Sequence, residues 1–434
     1  MGIFIIIIAV LFEITFMVYC IRTKENHTKT RSWVMIAAFV AFVSGTLTSV
    51  LDWGFRWYFL GGVLAIFALI GAYKLLTRKF GKKPYRTWRI VCKMIRMVLL
   101  ITLATMPAIA FPQYENPRTT GRFAVDTSTY TFTDESRIET FVNTGEQRKV
   151  TVEFWYPRQA EGIYPLIVFS HGAFGVRMSN ASTFMDLASN GYVVCSIDHP
   201  YHAAGTIDAD KNLTLGSKAF MQEVIDANGN IFSEREQFEL YTKWMDLRTG
   251  DIAFVLDTIQ NTNEGFYSLI DRKKTGLIGH SLGGSAAAQL GRVRDDIGAV
   301  INLDGSMLGE YRLNKANEIG INEEPYPLPL LNFYSEYVIN ELQADPAYVY
   351  PNKYVSSISA KAFEVCIKGT NHMSYTDLPL FSPFLAKQLS GVSGGATKAT
   401  VDKYYCIETM NTLVLEFFNC YLKGEGSFTA KEYY

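Results

Sequence analysis

Ser281 stands between two glycines in the run GLIGHSLGGSAAAQL, residues 276–290, where a serine is placed to act as a nucleophile. Apolar, strand-like sequence leads into the turn, and a small-residue helix (Ser285, Ala286, Ala287, Ala288) leaves it. A nucleophile on such an elbow holds a strained backbone, so the residues two before and two after it must lack bulk. Gly279 and Gly283 meet that demand. The chemistry expected of this serine is acyl transfer through a covalent ester. That requires a general base, an orienting carboxylate and two N–H donors for the oxyanion.

In hydrolases with this elbow the chain order is Ser, then Asp or Glu, then His. Of the six histidines, at 27, 171, 199, 202, 280 and 372, only His372 follows Ser281, so the base is His372 by elimination. It sits in KGTNHMSYTD, a loop after the last apolar strand. Two acids compete: Asp304 closes the strand AVINLD and Glu336 closes LLNFYSE, and position alone leaves both open. Asp295 and Asp296 precede a strand and lie at the wrong edge. The oxyanion donors are expected at the amide of Leu282, next after the nucleophile, and of Ala173 in SHGAFG. His171 and His280 are expected to orient these turns rather than to transfer protons.

The elements that must position these groups alternate strand and helix. KVTVEFWYP (149–157), YPLIVFSHG (164–172), YVVCSIDH (192–199), KTGLIGHS (274–281), IGAVINLD (297–304), LPLLNFYSE (328–336) and KAFEVCIKG (361–369) read as strands. Continuous apolar strands separated by helices predict an α/β class with a mostly parallel sheet covered on both faces. Ligand sites in such sheets lie beyond the carboxyl ends of the strands. His171, His199, Ser281, Asp304 and His372 all fall there. Residues 202–240 break the rhythm and read as an insertion, either a lid over the site or a plain solvent loop. After it, Met245, Ile252, Val255, Leu256 and Ile259 mark one face of a helix.

Before residue 112 the chain changes character. Apolar segments at about 2–20, 33–51, 55–76 and 93–111 predict four membrane helices, joined by a linker at 112–121 to a domain at 122–434. The first connection carries Arg22, Lys24, Lys29 and Arg31; the third carries Arg78, Lys79, Lys82, Lys83, Arg86 and Arg89. Positive loops face the cytoplasm, which puts the large domain outside in a multi-pass protein of the cell membrane. Glu13, within the first span, is expected to face a neighbouring helix, although no partner base is evident in the other spans. With 41 basic and 42 acidic residues there is no global case for nucleic-acid binding. The six cysteines lack metal-ligand spacing, so no metal or cofactor is expected. Cys195 and Cys366 read as buried thiols, and a Cys406–Cys420 bridge stays open.

The segments YPLIVFSHGAFGVR, GHSLGG, INLDGSM, LLNFYSEY and IKGTNHMSYTD, in that order, resemble the platelet-activating factor acetylhydrolase family of α/β-hydrolases. The resemblance runs from about 145 to 425, is densest over 164–310, and leaves out the apolar segments. It implies a carboxylic-ester hydrolase with an acyl-serine intermediate and no metal. It implies Asp304 as the acid, because the family's acid lies on the strand after the nucleophile helix. Ser281, His372, Ala173 and Leu282 match the remaining family positions. The chain departs from the family in having Gly305–Ser306 where an aromatic follows the acid, and in the segment AFG after His171–Gly172. Dienelactone-hydrolase-like enzymes share much of this pattern. The reading is therefore a membrane-anchored serine esterase or lipase acting on a lipid or amphiphilic ester at a lipid bilayer. The alternative is a multi-span sensor or transport component with a non-catalytic hydrolase-like domain. An acyltransferase would use the same acyl-enzyme.

Overall fold

A computed structural model describes residues 1–78, 84–159, 161–229, 231–314, 318–392 and 398–434. The chain divides into two compact units, Met1–Glu115 with Phe381–Leu385, and Asn116–Leu380 with Ala386–Tyr434. In the first unit the apolar runs become four helices, α1 (Gly2–Thr23), α2 (Thr28–Leu47), α3 (Phe55–Thr77) and α4 (Thr87–Ala110). All four are long and apolar enough to cross a membrane.

Two expectations about this unit change. α2 begins at Thr28 and ends at Leu47, instead of running from Trp33 to Leu51, and α1 continues to Thr23. The first basic connection shrinks accordingly to Lys24–His27, and Arg31 becomes a helical residue. Glu13 does have a partner. Arg31 donates from Nη2 to both carboxylate oxygens, at 2.6 and 2.8 Å, with Glu13 and Arg31 only 3% and 6% exposed. A charge counted as loop is thus one half of a buried ion pair. In the third connection Lys79, Lys82 and Lys83 lie outside the described residues.

In the second unit, β1 (Val125–Ile138), β2 (Gln147–Pro157) and β3 (Tyr164–Ser170) are followed by α5 (Ala181–Ser189) and β4 (Val193–Asp198). The segment after β4 forms a hairpin of β5 (Gly205–Ile207) and β6 (Leu213–Leu215), then α6 (Lys218–Asn228). α7 (Glu234–Asn261) opens with a Ser233/Glu236 capping box, so the insertion ends before residue 240. Next come β7 (Ile270–His280), α8 (Leu282–Val293) and β8 (Ile297–Leu303), then the short pair β9 (Tyr311–Leu313) and β10 (Ile319–Ile321). β11 (Leu330–Ser335), α9 (Glu336–Ala344), α10 (Pro351–Ile358) and β12 (Ala362–Ile367) complete the frame.

The main sheet has the order β1-β2-β4-β3-β7-β8-β11-β12. β4 through β12 run parallel, whereas β1 and β2 are antiparallel additions at one edge. Alternate residues of each strand enter opposite cores. Leu166 and Val168 meet Ile252, Val255 and Leu256 of α7 on one face; Ile167 and Phe169 meet Phe184, Leu187 and Phe417 on the other. The outer edge of β12 is covered by the end of the chain, where Cys366 N donates to Glu432 O at 2.8 Å and Tyr434 N to Cys366 O at 2.9 Å. All six cysteines are free thiols. Cys406 and Cys420 follow one another along a continuous helical run. That separates them by about 20 Å, where a disulfide spans roughly 6 Å between Cα atoms.

Candidate active site

β7 delivers Ser281 to the sheet's carboxyl edge with φ 54° and ψ −124°, a conformation L-residues avoid. The turn is held by Ser281 N donating to Leu303 O at 2.9 Å and by Ser285 N donating back to Ser281 O at 3.1 Å. A methyl group at Gly279 would overlap the Gly283 carbonyl, and one at Gly283 would overlap the carbonyl of Ser170. The elbow closes only if both positions lack a Cβ.

β8 and β12 bring up the other two groups. His372 Nε2 lies 2.8 Å from Ser281 Oγ, and its Nδ1 lies 2.8 Å from Asp304 Oδ2. Asp304 takes a positive φ of 53°, directing its carboxylate back over the edge. Its Oδ1 accepts from Ser335 N at 2.5 Å, and its own amide donates to Phe333 O at 2.9 Å. Asp304 is 5% exposed. Burial alone would raise its pKa, but the hydrogen bonds from His372 and Ser335 outweigh it and hold the carboxyl below its ordinary value. An ionised Asp304 fixes the proton of neutral His372 on Nδ1. That leaves the Nε2 lone pair facing the serine hydroxyl.

Glu336, the rival acid, lies elsewhere. Its Oε2 accepts from Gly369 N at 3.0 Å, and its amide donates to Thr370 Oγ1 at 3.0 Å. It braces the loop that carries His372 without bonding to the imidazole. The same loop is anchored on its far side, where Asn180 Nδ2 donates to Tyr375 O at 2.7 Å and Asp377 accepts from Ser182 N at 2.7 Å. Burial pushes Asp377 up to about 6.

The loop after β3 passes directly over Ser281. A Cβ placed on Gly172 would come 3.0 Å from Ser281 Cβ. Ala173 follows it, flanked by Phe174 N, which donates to His202 O at 2.9 Å, and Gly175 N, which donates to Gly172 O at 3.1 Å. Leu282 N is the first amide of α8, one of those a helix leaves without an intrahelical partner. His171 Nδ1 contacts Gly172 O at 2.6 Å and His280 Nε2 contacts His372 O at 2.9 Å, so both rings serve turns.

A buried polar network beneath this loop was not anticipated from the sequence. Asp251 receives Arg148 at 2.7 Å on each oxygen and His199 Nδ1 at 2.9 Å, and His199 Nε2 meets Ser170 Oγ at 2.8 Å. Arg248, one turn earlier on α7, donates to the carbonyls of His171 and Gly172. The available signal was charge on an apolar face: Arg248 and Asp251 share the helical stripe of Met245, Ile252 and Val255.

The sheet order, the crossover helices and the elbow define an α/β-hydrolase. Residues 146–431 match the family described as platelet-activating factor acetylhydrolase, isoform II, and the chain belongs to that family. It is 26% identical over 273 residues to the platelet-activating factor acetylhydrolase of Canis lupus familiaris, a stretch covering 60% of this chain and 57% of that one. The enzyme of the same name from Cavia porcellus is 23% identical over 294 residues, 64% of this chain and 62% of its own. A probable 1-alkyl-2-acetylglycerophosphocholine esterase of Arthroderma benhamiae is 25% identical over 271 residues, 60% of this chain and 61% of its own. The chain thus spans about three fifths of the length of these relatives. Among solved structures, a ferulic acid esterase from Streptomyces cinnamoneus shares the fold, with a TM-score of 0.57 and 21% identity over 72% of this chain and 94% of that one.

Proposed function

We propose that the chain is a membrane-anchored serine hydrolase of carboxylic esters, with Ser281 as nucleophile, His372 as base and Asp304 as the acid that orients it. Ser281 Oγ attacks the ester carbonyl carbon while its proton passes to His372 Nε2. Asp304 stabilises the imidazolium that forms. The amides of Leu282 and Ala173 receive the oxyanion, each contributing about 3–4 kcal/mol in comparable sites. The imidazolium then protonates the alcohol oxygen as the carbon–oxygen bond breaks. Water repeats the sequence to release the acid. The observation that carries this reading is the continuous relay of two 2.8 Å contacts from a serine held at φ 54°.

The relatives' names point to phospholipids with a short acyl group, and we extend that class here to lipid or amphiphilic esters, short-acyl and oxidised phospholipids among them. Residues 1–111 would anchor the enzyme, 112–121 link it, and 122–434 form the catalytic domain, with the β5–α6 insertion as its lid. Arg22, Lys24 and Lys29 at or beside one connection, with Arg78, Arg86 and Arg89 at or beside the other, favour a catalytic domain outside the cytoplasm.

The test is hydrolysis of a p-nitrophenyl ester series from acetate to long chains by the detergent-solubilised protein and its Ser281→Ala variant. Activity lost in the variant, with the rate falling as the acyl chain lengthens, is expected. A wild type that cleaves no ester and takes no fluorophosphonate label overturns the catalytic reading. Protease treatment of intact cells tests orientation separately: a catalytic domain protected until lysis refutes it.

A further inference from the structure

Arg248 has no exposed surface, and its guanidinium is directed at backbone carbonyls rather than at a carboxylate. Nη1 donates to His171 O, Nη2 to Gly172 O at 3.3 Å, and Nε to His202 Nδ1 at 3.3 Å. Gly172 O also accepts from Gly175 N at 3.1 Å and lies 2.6 Å from His171 Nδ1. The carbonyl between Gly172 and Ala173 is therefore held from several directions.

A trans peptide is planar, with its N–H and C=O pointing in opposite directions. Fixing Gly172 O toward Arg248 therefore aims the Ala173 N–H the other way, on a loop that lies against Ser281. A flip of this peptide rotates ψ at Gly172, where the lack of a side chain leaves the backbone free to turn. A flipped peptide would present an oxygen where the oxyanion must sit, and would strip a buried guanidinium of an acceptor.

We propose that Arg248 is a positioning residue for the oxyanion hole: its guanidinium holds the Gly172–Ala173 peptide in the orientation that offers the Ala173 N–H to the reacting oxygen. The inference rests on the proposed role of Ser281 and deepens it. A planar fork meets two successive carbonyls and His202 in one fixed geometry, which the point charge of a lysine ammonium does not reproduce. The fork is itself seated from behind. His202, which accepts from its Nε, stacks face to face on Phe220 of α6, with centroids 3.7 Å apart and planes 6° apart. Burial lowers the Arg248 pKa to about 9, with Asp251 opposing that shift, so the group stays charged at neutral pH.

The experiment compares an oxo-ester with its thiono (C=S) counterpart on the full chain in detergent, for wild type, Arg248→Lys and Ser281→Ala. Sulfur accepts hydrogen bonds poorly, so an intact oxyanion hole favours the oxo-ester. Arg248→Lys is expected to lose about 10²-fold in kcat on the oxo-ester, the scale of one lost oxyanion donor, with KM within threefold. Its oxo-to-thiono rate ratio should shrink by roughly tenfold or more. Parallel losses on both esters, or an unchanged oxo-ester rate, overturn the role of Arg248. If Arg248→Lys does not fold, His202→Leu removes the Nε partner alone and is read by the same ratio: a decrease supports the proposal and an unchanged ratio overturns it. A wild type that cleaves neither ester, or a Ser281→Ala variant as active as wild type, instead overturns the catalytic reading on which the proposal stands.

Discussion

His280 Nε2 donates to the backbone carbonyl of His372 across 2.9 Å, so the residue before Ser281 holds the residue whose ring reaches the serine. Burial lowers the His280 pKa to about 3, so the ring is neutral. A carbonyl only accepts, which assigns the single ring proton to Nε2. The spacing between Ser281 and His372 is thereby supported by a part-buried hydrogen bond, and Glu336 and Asp377 brace the loop from its two sides.

The two candidate acids separate cleanly by mutation. Asp304→Asn should lower kcat on a nitrophenyl ester by about 10⁴-fold, because the amide stabilises the wrong imidazole tautomer. Glu336→Gln should cost less than about tenfold, since it loosens a loop without touching the imidazole. Equal losses in the two variants would remove the distinction drawn between them.

Elbow glycines should be intolerant of the smallest side chain. Gly279→Ala and Gly283→Ala each place a methyl inside backbone atoms, and either should destabilise the fold by roughly 3 kcal/mol or more. Thermal unfolding in detergent checks this. A melting temperature within about 1 °C of wild type would show that the turn can open, since for a domain of this size that shift corresponds to under about 1 kcal/mol.

Acid should destabilise the protein before its carboxylates titrate. Burial holds His171 and His202 well below the ordinary 6.5, His199 at about 4 and His280 at about 3. Below pH 6.5 the unfolded chain binds protons at these positions that the folded chain refuses, so stability is full above that pH and is lost as pH falls. The loss is up to about 1.4 kcal/mol per histidine per pH unit. Unfolding midpoints should hold between about pH 7.5 and 6.5 and fall from there to about pH 5, and a profile flat throughout would contradict the neutral buried rings.

Asp377 works in the opposite direction. Burial raises its carboxyl from 3.8 to about 6, so the folded chain holds a proton there that the unfolded chain releases. Its destabilising effect is absent below pH 4 and complete above pH 6, on the order of 3 kcal/mol at most. Relative to wild type, Asp377→Asn should therefore gain stability between pH 4 and pH 6. A difference that does not change with pH would count against the raised carboxyl.

Much of the frame was legible because parallel strands buried on both faces read as continuous apolar runs, as β3, β4, β7 and β8 do. β1 escaped notice for the converse reason. It is an edge strand with almost no fully buried residue, rich in Ser, Thr and Asp, and resembles a polar linker until β2 is seen beside it. Ser281 and His372 could be named from a motif and an elimination. Asp304 and Glu336 could not be ranked by position, since each closes a neighbouring strand. What separates them is a set of distant partners: His372 and Ser335 for one, Gly369 for the other. Arg248 was hidden because two of its acceptors are backbone carbonyls, and its charge on an apolar helical face signals burial without naming the partner. Arg31 was hidden because a charge beside an apolar run reads as the run's end, when its partner Glu13 lies on the neighbouring helix.

On the membrane reading, the pairing of Glu13 with Arg31 also bears on how the chain is inserted as it is made. An unpaired carboxylate near the middle of an inserting helix costs about 3 kcal/mol, enough to delay commitment of α1 by itself. Once α2 has emerged, the short Lys24–His27 link lets Arg31 fold back and neutralise it. The second helix should then secure the first, so that a nascent chain cut short before Thr28 would hold its first helix less securely than one extended past Leu47.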